Sequence, residues 1–175
     1  TGEIAMNPKH TTEWVFAYGS NLHIQDLKHW LRHYGYSDEG IIQVLPAILD
    51  NYRLVWNYYS PVRKGGAANV EPAPGHQVLG ALLELTPETL PGIDRKEGHP
   101  KRYSRGSKPI EAKTLDEANT YQAWVYEVQP DYQTPEPTQP TPEYFQIMLD
   151  GIRQIGLPQT WIQTVEQSLP EGPKI

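Results

Sequence analysis

Segments with the composition of β-strands dominate this chain of 175 residues, and short turns rather than helices separate most of them. Strands joined by short turns pair in antiparallel fashion. The sequence therefore predicts an α+β fold, with a small mixed and mainly antiparallel β-barrel and helices packed outside it. Stretches rich in β-branched and aromatic residues predict strands at 14–18, 41–49, 52–58, 67–70, 77–85, 108–115 and 121–128.

Turn signals divide two of these strand regions. Asp50-Asn51 is expected to form a tight turn between the strands at 41–49 and 52–58. Gly65-Gly66 precedes the small-residue strand at 67–70, where another part of the molecule can approach the backbone closely.

Helical spacing of apolar residues occurs in four stretches. The first has apolar residues at 24, 27, 31 and 34 and ends at Gly35. The second is expected to begin at Thr86-Pro87, with Thr86 as its cap, and to bend near Pro91-Gly92. The third and fourth lie at 144–155 and 161–169, and the sequence Gly-Leu-Pro ends the third.

The chain is long enough for one domain with a hydrophobic core. The proline-rich stretch 130–142 is expected to be an extended loop and not a domain linker, because too little sequence follows it to fold alone. We predict a single domain at 14–169 between tails at 1–13 and 170–175. The first residues lack the basic and apolar regions of a signal peptide. Met6 is expected to be the natural start, with residues 1–5 left over from cloning.

Composition excludes several classes of function. The formal net charge is −6, which disfavours binding to nucleic-acid phosphates. The sequence has no cysteine, which removes disulfides, thiolate nucleophiles and cysteine zinc sites and fits a reducing compartment. No apolar stretch is long enough to predict a membrane span. We therefore expect a cytoplasmic protein that binds neither nucleic acid nor membranes.

The stretch Phe-Ala-Tyr-Gly-Ser-Asn-Leu at 16–22 is the first candidate site, because a predicted strand stops there and a helix follows. The backbone amides from Gly19 to Leu22 would lie at the positive end of a helix dipole, where a carboxylate or an oxyanion binds well. The structural alternative is that Ser20 or Asn21 simply caps the helix. Ser20 lacks the Gly-x-Ser-x-Gly context of an activated nucleophile.

The sequence Gly-Ile-Asp-Arg-Lys-Glu-Gly-His-Pro at 92–100 is the second candidate site. Asp94 and Glu97 are three residues apart and would share one side of a helical turn. Glu97 could act as a general base beside a flexible glycine. The alternative is a capping box, in which Asp94 caps a helix and Glu97 reaches back to it.

Histidines and tyrosines form two further sets. His29 and His33 have i,i+4 spacing, but they lack the Glu of a His-Glu-x-x-His motif and lie opposite the apolar stripe of their helix, so no metal site is predicted. Tyr103, Tyr132 and Tyr144 suit the wall of a small pocket, and ordinary packing is the alternative for each.

Four segments, in this order along the chain, resemble segments of the γ-glutamylcyclotransferase-like (AIG2-like) family. They are the loop at 16–22, the small-residue strand Gly-Gly-Ala-Ala-Asn-Val-Glu-Pro at 65–72, the Asp-x-x-Glu-Gly segment followed by a Tyr at 92–103, and the helix preceded by prolines and ended by Gly-Leu-Pro at 140–158. The resemblance extends over residues 14–169. The spacing from Glu97 to Tyr103 and the long proline-rich loop depart from the family pattern, so the leaving amine is not identified.

The resemblance implies a reaction and a set of roles. The α-amine of a small γ-glutamyl substrate attacks its own γ-carbonyl, which releases 5-oxoproline and an amine without water, metal or cofactor. Glu97 would be the catalytic acid and base of this lyase, which would act as a monomer or homodimer. The residues implied in substrate binding are Tyr18, Gly19, Ser20, Asn21, Leu22, Tyr103, Tyr132 and Tyr144.

Two alternatives differ from this function in the fate of the ligand. A non-catalytic binding module on the same fold would bind a small carboxylate unchanged. An amidohydrolase would use Glu97 to activate water, and it would release glutamate instead of the cyclic lactam.

Overall fold

The computed structural model describes residues 11–170. The expected start at Met6 and most of both predicted tails lie outside the described residues. The strands are β1 (Glu13–Ala17), β2 (Ile41–Val55), β3 (Tyr59–Ser60), β4 (Gly65–Gly66), β5 (Asn69–Leu85), β6 (Tyr103–Ser104), β7 (Ile110–Thr114), β8 (Thr120–Ala123) and β9 (Glu127–Val128). The α-helices are α1 (Ile24–His33), α2 (Leu90–Glu97), α3 (Pro142–Ile155) and α4 (Gln159–Ser168), and 3-10 turns span Ser20–Leu22 and Pro130–Tyr132.

A five-stranded antiparallel sheet with strand order β1-β5-β2-β7-β8 forms the centre of the fold. β2 and β5 pair from Ile41 opposite Leu85 to Val55 opposite Asn69. Two small antiparallel ladders, β3-β4 and β6-β9, complete the strand pairing. The predicted α+β fold with a mainly antiparallel sheet is confirmed.

Closure of this sheet into the predicted barrel is not confirmed, because the strand order is open between β1 and β8. Within the described chain, the two edges meet at an isolated parallel bridge between Val15 and Trp124. There the amide of Phe16 donates to the carbonyl of Trp124 over 2.9 Å, and the amide of Trp124 donates to the carbonyl of Trp14 over 2.8 Å. The bridge brings the segment after β8 to the strand from which the candidate loop leaves.

The expected turn at Asp50-Asn51 is wrong, since both residues lie within β2. Asn51 has a left-handed backbone conformation with φ of 63°, at a register shift between β2 and β5. Its Oδ1 accepts a hydrogen bond of 3.1 Å from the amide of Gly75 on β5. A left-handed residue is compatible with a bulge as well as with a hairpin turn. Here β2 continues past Asn51, and residues 73–76 of β5 have no paired residue on β2, so the irregularity is a bulge. The strands predicted at 67–70 and 77–85 are likewise parts of one strand, β5.

The predicted start of the second helix is also wrong. α2 begins at Leu90, with Thr89 as its N-cap and Pro91 in its first turn. Thr86 belongs to the preceding turn, where its hydroxyl lies 2.8 Å from that of Thr89. Proline is compatible with the first turn of the predicted helix and with that of α2, because an amide there needs no intrahelical acceptor. The prolines therefore did not distinguish the two possible starts.

The strand predicted at 121–128 is interrupted at Trp124. β8 ends at Ala123, the chain then bridges to β1, and β9 pairs with β6 instead of continuing along β7. The alternation of apolar and polar residues continues across this break, so the sequence predicts one strand where the structure has two.

The hydrophobic core draws on the sheet and on all four helices, which places it between these two layers. Leu27 and Leu31 of α1 are fully buried and His29 and His33 are exposed, as the helical spacing predicts. No helix within residues 11–170 is long and apolar enough to cross a membrane. The largest fully buried side chains are Val15, Phe16, Leu22, Leu27, Leu31, Leu49, Leu82, Leu83, Leu85, Ile93, Met148 and Ile152.

Close backbone packing holds the segments that carry the candidate site. A Cβ atom at Gly151 of α3 would lie 2.5 Å from the carbonyl carbon of Leu22, so glycine is required for α3 to pack against the loop. A Cβ atom at Gly66 would lie 2.1 Å from the carbonyl oxygen of Thr138. The close approach expected at the small-residue strand is therefore made by the proline-rich loop.

Candidate active site

Glu97 is the last residue of α2, and Gly98 terminates the helix. Gly98 has a left-handed conformation with φ of 69°, and its amide donates to the carbonyl of Arg95 over 3.2 Å. A glycine at this position satisfies the last carbonyls of a helix without strain. The glycine beside Glu97 thus serves as a helix terminator, and the half-buried Glu97 side chain projects from a fixed helix end.

Asp94 does not cap α2, so the capping-box interpretation is wrong. The helix begins at Leu90, which places Asp94 in its second half. The Asp94 carboxylate accepts two hydrogen bonds from the Arg105 guanidinium, at 2.8 and 3.2 Å, and one of 2.5 Å from the Tyr126 hydroxyl. Asp94 therefore ties α2 to the segments after β6 and β8.

The loop between β1 and α1 forms a 3-10 turn, in which the amide of Leu22 donates to the carbonyl of Gly19 over 3.1 Å. The N-cap of α1 is His23, whose Nδ1 accepts from the amide of Asp26. Neither Ser20 nor Asn21 caps α1, and that alternative is wrong. Within residues 11–170, the amides of Gly19, Ser20 and Asn21 have no backbone acceptor. The amide of Ser20 is hydrogen-bonded to the Tyr144 hydroxyl. The amides of Gly19 and Asn21 therefore remain available to a bound anion.

A cavity of about 40 Å³, here called the inner cavity, lies between this loop and Glu97. It has room for about three water-sized groups. The structure brings the loop together with Glu97 and two of the predicted tyrosines. Its lining residues are Val15, Phe16, Ala17, Tyr18, Gly19, Ser20, Asn21, Ala68, Glu97, Tyr103, Tyr126 and Tyr144.

Tyrosine hydroxyls around the inner cavity are bound to backbone groups. The Tyr103 hydroxyl donates to the carbonyl of Ala68 over 2.7 Å, and the Tyr144 hydroxyl accepts from the amide of the same residue over 3.1 Å. The Tyr18 hydroxyl donates to the carbonyl of Tyr126 over 2.5 Å. Burial raises the pKa of Tyr18, Tyr103 and Tyr144, so all three are protonated at neutral pH. They form a polar wall and are not candidate bases.

The Asn21 side chain connects Glu97 with Lys96. Its Nδ2 donates to Glu97 Oε1 over 2.7 Å, and its Oδ1 accepts from Lys96 Nζ over 2.6 Å. The ammonium group of Lys96 can only donate, so it fixes which end of the amide faces Glu97. Burial lowers the pKa of Lys96. The loop therefore contributes a side-chain contact to Glu97 in addition to its amides.

A larger opening of about 640 Å³, here called the outer cleft, adjoins the inner cavity. Ser20, Glu97, Tyr103 and Tyr144 line both. The other residues of its lining are Asp26, His29, Trp30, His33, Tyr34, Tyr58, Ser60, Pro61, Val62, Arg63, Ala67, Arg95, Lys96, Gly98 and Arg102.

Leu22 and Tyr132 are not among the residues that line the inner cavity or the outer cleft, so the structure does not bring these two predicted substrate contacts to either opening. Leu22 is fully buried in the core, and its amide is used within the 3-10 turn. The ring of Tyr132 lies 5.4 Å from the guanidinium carbon of Arg102. Tyr132 therefore supports a cleft residue through a cation–π contact and does not form the wall itself.

Two histidines of the outer cleft, His29 and His33, have no arrangement for metal binding. Among residues 11–170, no three His, Asp or Glu side chains are grouped so that they could hold a metal ion.

Sequence reasoning missed several residues of the site. Tyr126 and Ala68 line the inner cavity, and Lys96, Arg63 and Arg102 line the outer cleft. Lys96 adjoins Glu97 in the sequence, which is a usable signal. Ala68 acts through its peptide group, for which no side-chain pattern exists.

Most of the chain matches the model of a known family. The family model described as "Gamma-glutamyl cyclotransferase, AIG2-like" matches residues 15–146. The chain belongs to this family. The matched interval contains the candidate loop, Glu97 and the tyrosine wall. No protein of curated function matches the chain.

Solved structures share the fold of this γ-glutamyl cyclotransferase family member. One named gamma-glutamyl cyclotransferase superposes with a TM-score of 0.72 at 19% identity, over 94% of this chain and 91% of that chain. An uncharacterised human protein gives a TM-score of 0.71 at 22% identity, over 93% and 91%. YkqA from Bacillus subtilis gives 0.72 at 18% identity, over 93% of this chain and 56% of its own. At these identities the likeness establishes the fold and no substrate.

Proposed function

We propose that the protein is a γ-glutamyl cyclotransferase that converts a small γ-glutamyl amide into 5-oxoproline and a free amine. The position of Glu97 is the observation that supports this best, because the residue lines both the inner cavity and the outer cleft. A carboxylate at this junction can take a proton from a nucleophile on one side and give one to a leaving group on the other.

In the proposed reaction, the carboxylate end of the γ-glutamyl group enters the inner cavity, the rest of this group lies beside Glu97 where the two openings meet, and the leaving amine stays in the outer cleft. The substrate α-ammonium gives a proton to Glu97, and the resulting amine attacks the γ-carbonyl. A carbon–nitrogen bond closes the five-membered ring, and the bond from the γ-carbon to the leaving nitrogen breaks. Glu97 relays the two protons lost by the α-nitrogen to the departing amine. No water is consumed, so the enzyme is formally a carbon–nitrogen lyase.

The loop after β1 would stabilise the negative charge of the bound substrate. The amides of Gly19 and Asn21 can donate to the α-carboxylate or to the oxyanion that forms on the γ-carbon. The hydrogen bond from Asn21 supports a fixed orientation of Glu97. Nucleophile and electrophile belong to one molecule, so the main task of the protein is to hold the reactive rotamer and exclude water.

Product analysis with a panel of γ-glutamyl donors tests the proposal. The purified protein is incubated with γ-glutamyl amino acids, γ-glutamylamines and glutathione, and 5-oxoproline and glutamate are separated by chromatography. We expect 5-oxoproline from the wild type and a rate about 10²- to 10⁴-fold lower from Glu97→Gln at unchanged thermal stability.

The same measurement distinguishes the alternatives. Free glutamate as the product would identify an amidohydrolase. Binding of donors without any product, unaffected by Glu97→Gln, would identify a binding module. Either result would overturn the proposed function.

A further inference from the structure

The outer cleft has a charge opposite in sign to that of the whole chain. Its lining contains the cations Arg63, Arg95, Lys96 and Arg102 and the carboxylates Asp26 and Glu97. The chain as a whole has a formal net charge of −6. Low-dielectric walls concentrate the field of such a local charge on a molecule that enters the cleft.

Three of the four cleft cations form no ion pair in the part of the chain that the structure describes, and one of these, Lys96, donates to the Asn21 side chain instead. Arg63 lies 3.4 Å from Asp26. Arg95 and Arg102, by contrast, form no ion pair within residues 11–170. Arg95 is exposed and Arg102 is half-buried. A guanidinium that lines a cleft without an ion-pair partner favours binding of an anion there, and a carboxylate matches its fork of donors.

Contacts on several sides hold the Arg102 side chain in place. Its Nη1 donates to the Tyr58 hydroxyl over 3.2 Å, and its guanidinium carbon lies 5.4 Å from the centre of the Tyr132 ring. Its aliphatic part packs on the backbone of Gly98, where an added Cβ atom would lie 3.2 Å from Arg102 Cδ. A side chain that is already ordered loses little entropy when it binds a ligand.

Arg102 also lies close to the wall shared by the two openings. The Tyr58 hydroxyl accepts the hydrogen bond from Arg102, and the Tyr58 ring packs edge-on against Tyr103 with ring centres 5.2 Å apart. Tyr103 and Glu97 line both the inner cavity and the outer cleft. Arg102 is therefore separated by one aromatic ring, that of Tyr58, from the wall that the two openings share.

We propose that the outer cleft selects a leaving amine that carries a carboxylate, such as an α-amino acid or a short peptide, and that Arg102 binds this carboxylate. The inference rests on the proposed cyclotransferase function, because it assigns the leaving group of that reaction. A volume of about 640 Å³ accommodates a leaving group of this size. An amine with a second positive charge is disfavoured, because it would meet Arg95 and Arg102.

A pair of donors that differ in one charge tests the inference. γ-Glutamyl-alanine and γ-glutamyl-alaninamide have nearly the same shape, and only the first carries a carboxylate on the leaving group. We expect kcat/KM for 5-oxoproline formation to be about tenfold higher with the acid than with the amide, the size of effect of one charge-assisted hydrogen bond. Raising the ionic strength should reduce this ratio.

Variants of adjacent residues identify the side chain responsible. Arg102→Gln should lower the acid-to-amide ratio to about twofold or less, mainly through a lower kcat/KM for the acid, and Arg102→Lys should restore part of the ratio. Lys101→Gln removes an equal charge from the neighbouring exposed position and should keep the wild-type ratio. Equal loss of both donors in Arg102→Gln would overturn the assignment to Arg102.

Binding measurements separate this inference from the proposed function. Dissociation constants of both donors are measured by calorimetry with Glu97→Gln, in which the substrate is not consumed. If no donor yields 5-oxoproline, the proposed function fails, and a tenfold tighter binding of the acid still supports the carboxylate site. Equal affinities or equal turnover of acid and amide would overturn the inference by itself.

Discussion

The inner cavity and the outer cleft share Glu97 but are built from different kinds of contacts. Around the inner cavity, the buried hydroxyls of Tyr103 and Tyr144 bind the carbonyl and the amide of Ala68, respectively. Around the outer cleft, half-exposed charged side chains such as Arg102 form the walls. A wall tied to the backbone cannot be changed without disturbing the fold, whereas a charged side chain can be exchanged alone. This difference suits the proposed division of roles, with the chemistry at the inner cavity and the choice of leaving group in the outer cleft.

Shortening Glu97 gives the largest expected effect. Glu97→Asp keeps the charge but moves the carboxylate by more than 1 Å from the shared boundary, and a displacement of this order lowers kcat/KM by about 100-fold. Initial rates of 5-oxoproline formation measure the loss. Glu88→Asp, at an exposed position in the turn before α2, is the matched control and should keep wild-type activity. Activity of Glu97→Asp within twofold of wild type would contradict a position-dependent proton transfer.

Removal of one hydroxyl from each region sharpens the comparison. Tyr103→Phe leaves the carbonyl of Ala68 without this donor, so we expect the free energy of unfolding to fall by about 1–3 kcal/mol. Tyr58→Phe removes a hydrogen bond to Arg102 and should cost under about 1 kcal/mol, with a lower acid-to-amide ratio. Urea denaturation measures both. Equal costs would show that the two regions are anchored alike.

A carboxyl group next to Tyr126 gives the smallest expected effect. Burial raises the pKa of Glu127 from its usual 4.5. A raised pKa in the folded state means that stability present at low pH is lost as the pH rises from the unfolded value through the folded one. Glu127→Gln should therefore be more stable than wild type at pH 7 by about 0.5 kcal/mol, after allowance for solvent screening.

Thermal unfolding of Glu127→Gln and wild type at two pH values provides the check. The difference in stability should vanish near pH 3, where Glu127 is protonated in both states. A difference that is independent of pH would indicate that packing, and not ionisation, separates the two proteins.

Much of the fold could be predicted because apolar spacing reports local structure directly. The burial of Leu27 and Leu31 followed from their positions in α1. The turn at Asp50-Asn51 could not be distinguished from a bulge, because the choice depends on β5, which lies farther along the chain. The open edge between β1 and β8 likewise depends on pairing between distant segments.

The site shows the same limit. Glu97 and the loop from Tyr18 to Asn21 were placed together from sequence segments, and the structure brings them to one cavity. Leu22 lies outside both openings, which the sequence did not show because periodicity does not reveal whether an amide is used in a turn. Arg102 was missed because a single cation forms no sequence pattern that predicts a binding role. Its position in the cleft and its lack of an ion-pair partner are visible only in the structure.

The contact of two tyrosines with Ala68 has a consequence for tracing distant relatives. Tyr144 and Tyr103 bind the amide and the carbonyl of this residue, so its side chain contributes only its small size to the wall. An added Cβ atom at Gly19 would lie 3.3 Å from the Cβ of Ala68, so the two small residues pack closely. A relative with any small residue at this position can keep the same wall. Alignments scored on residue identity will undervalue such a position, and superposed backbones will reveal it.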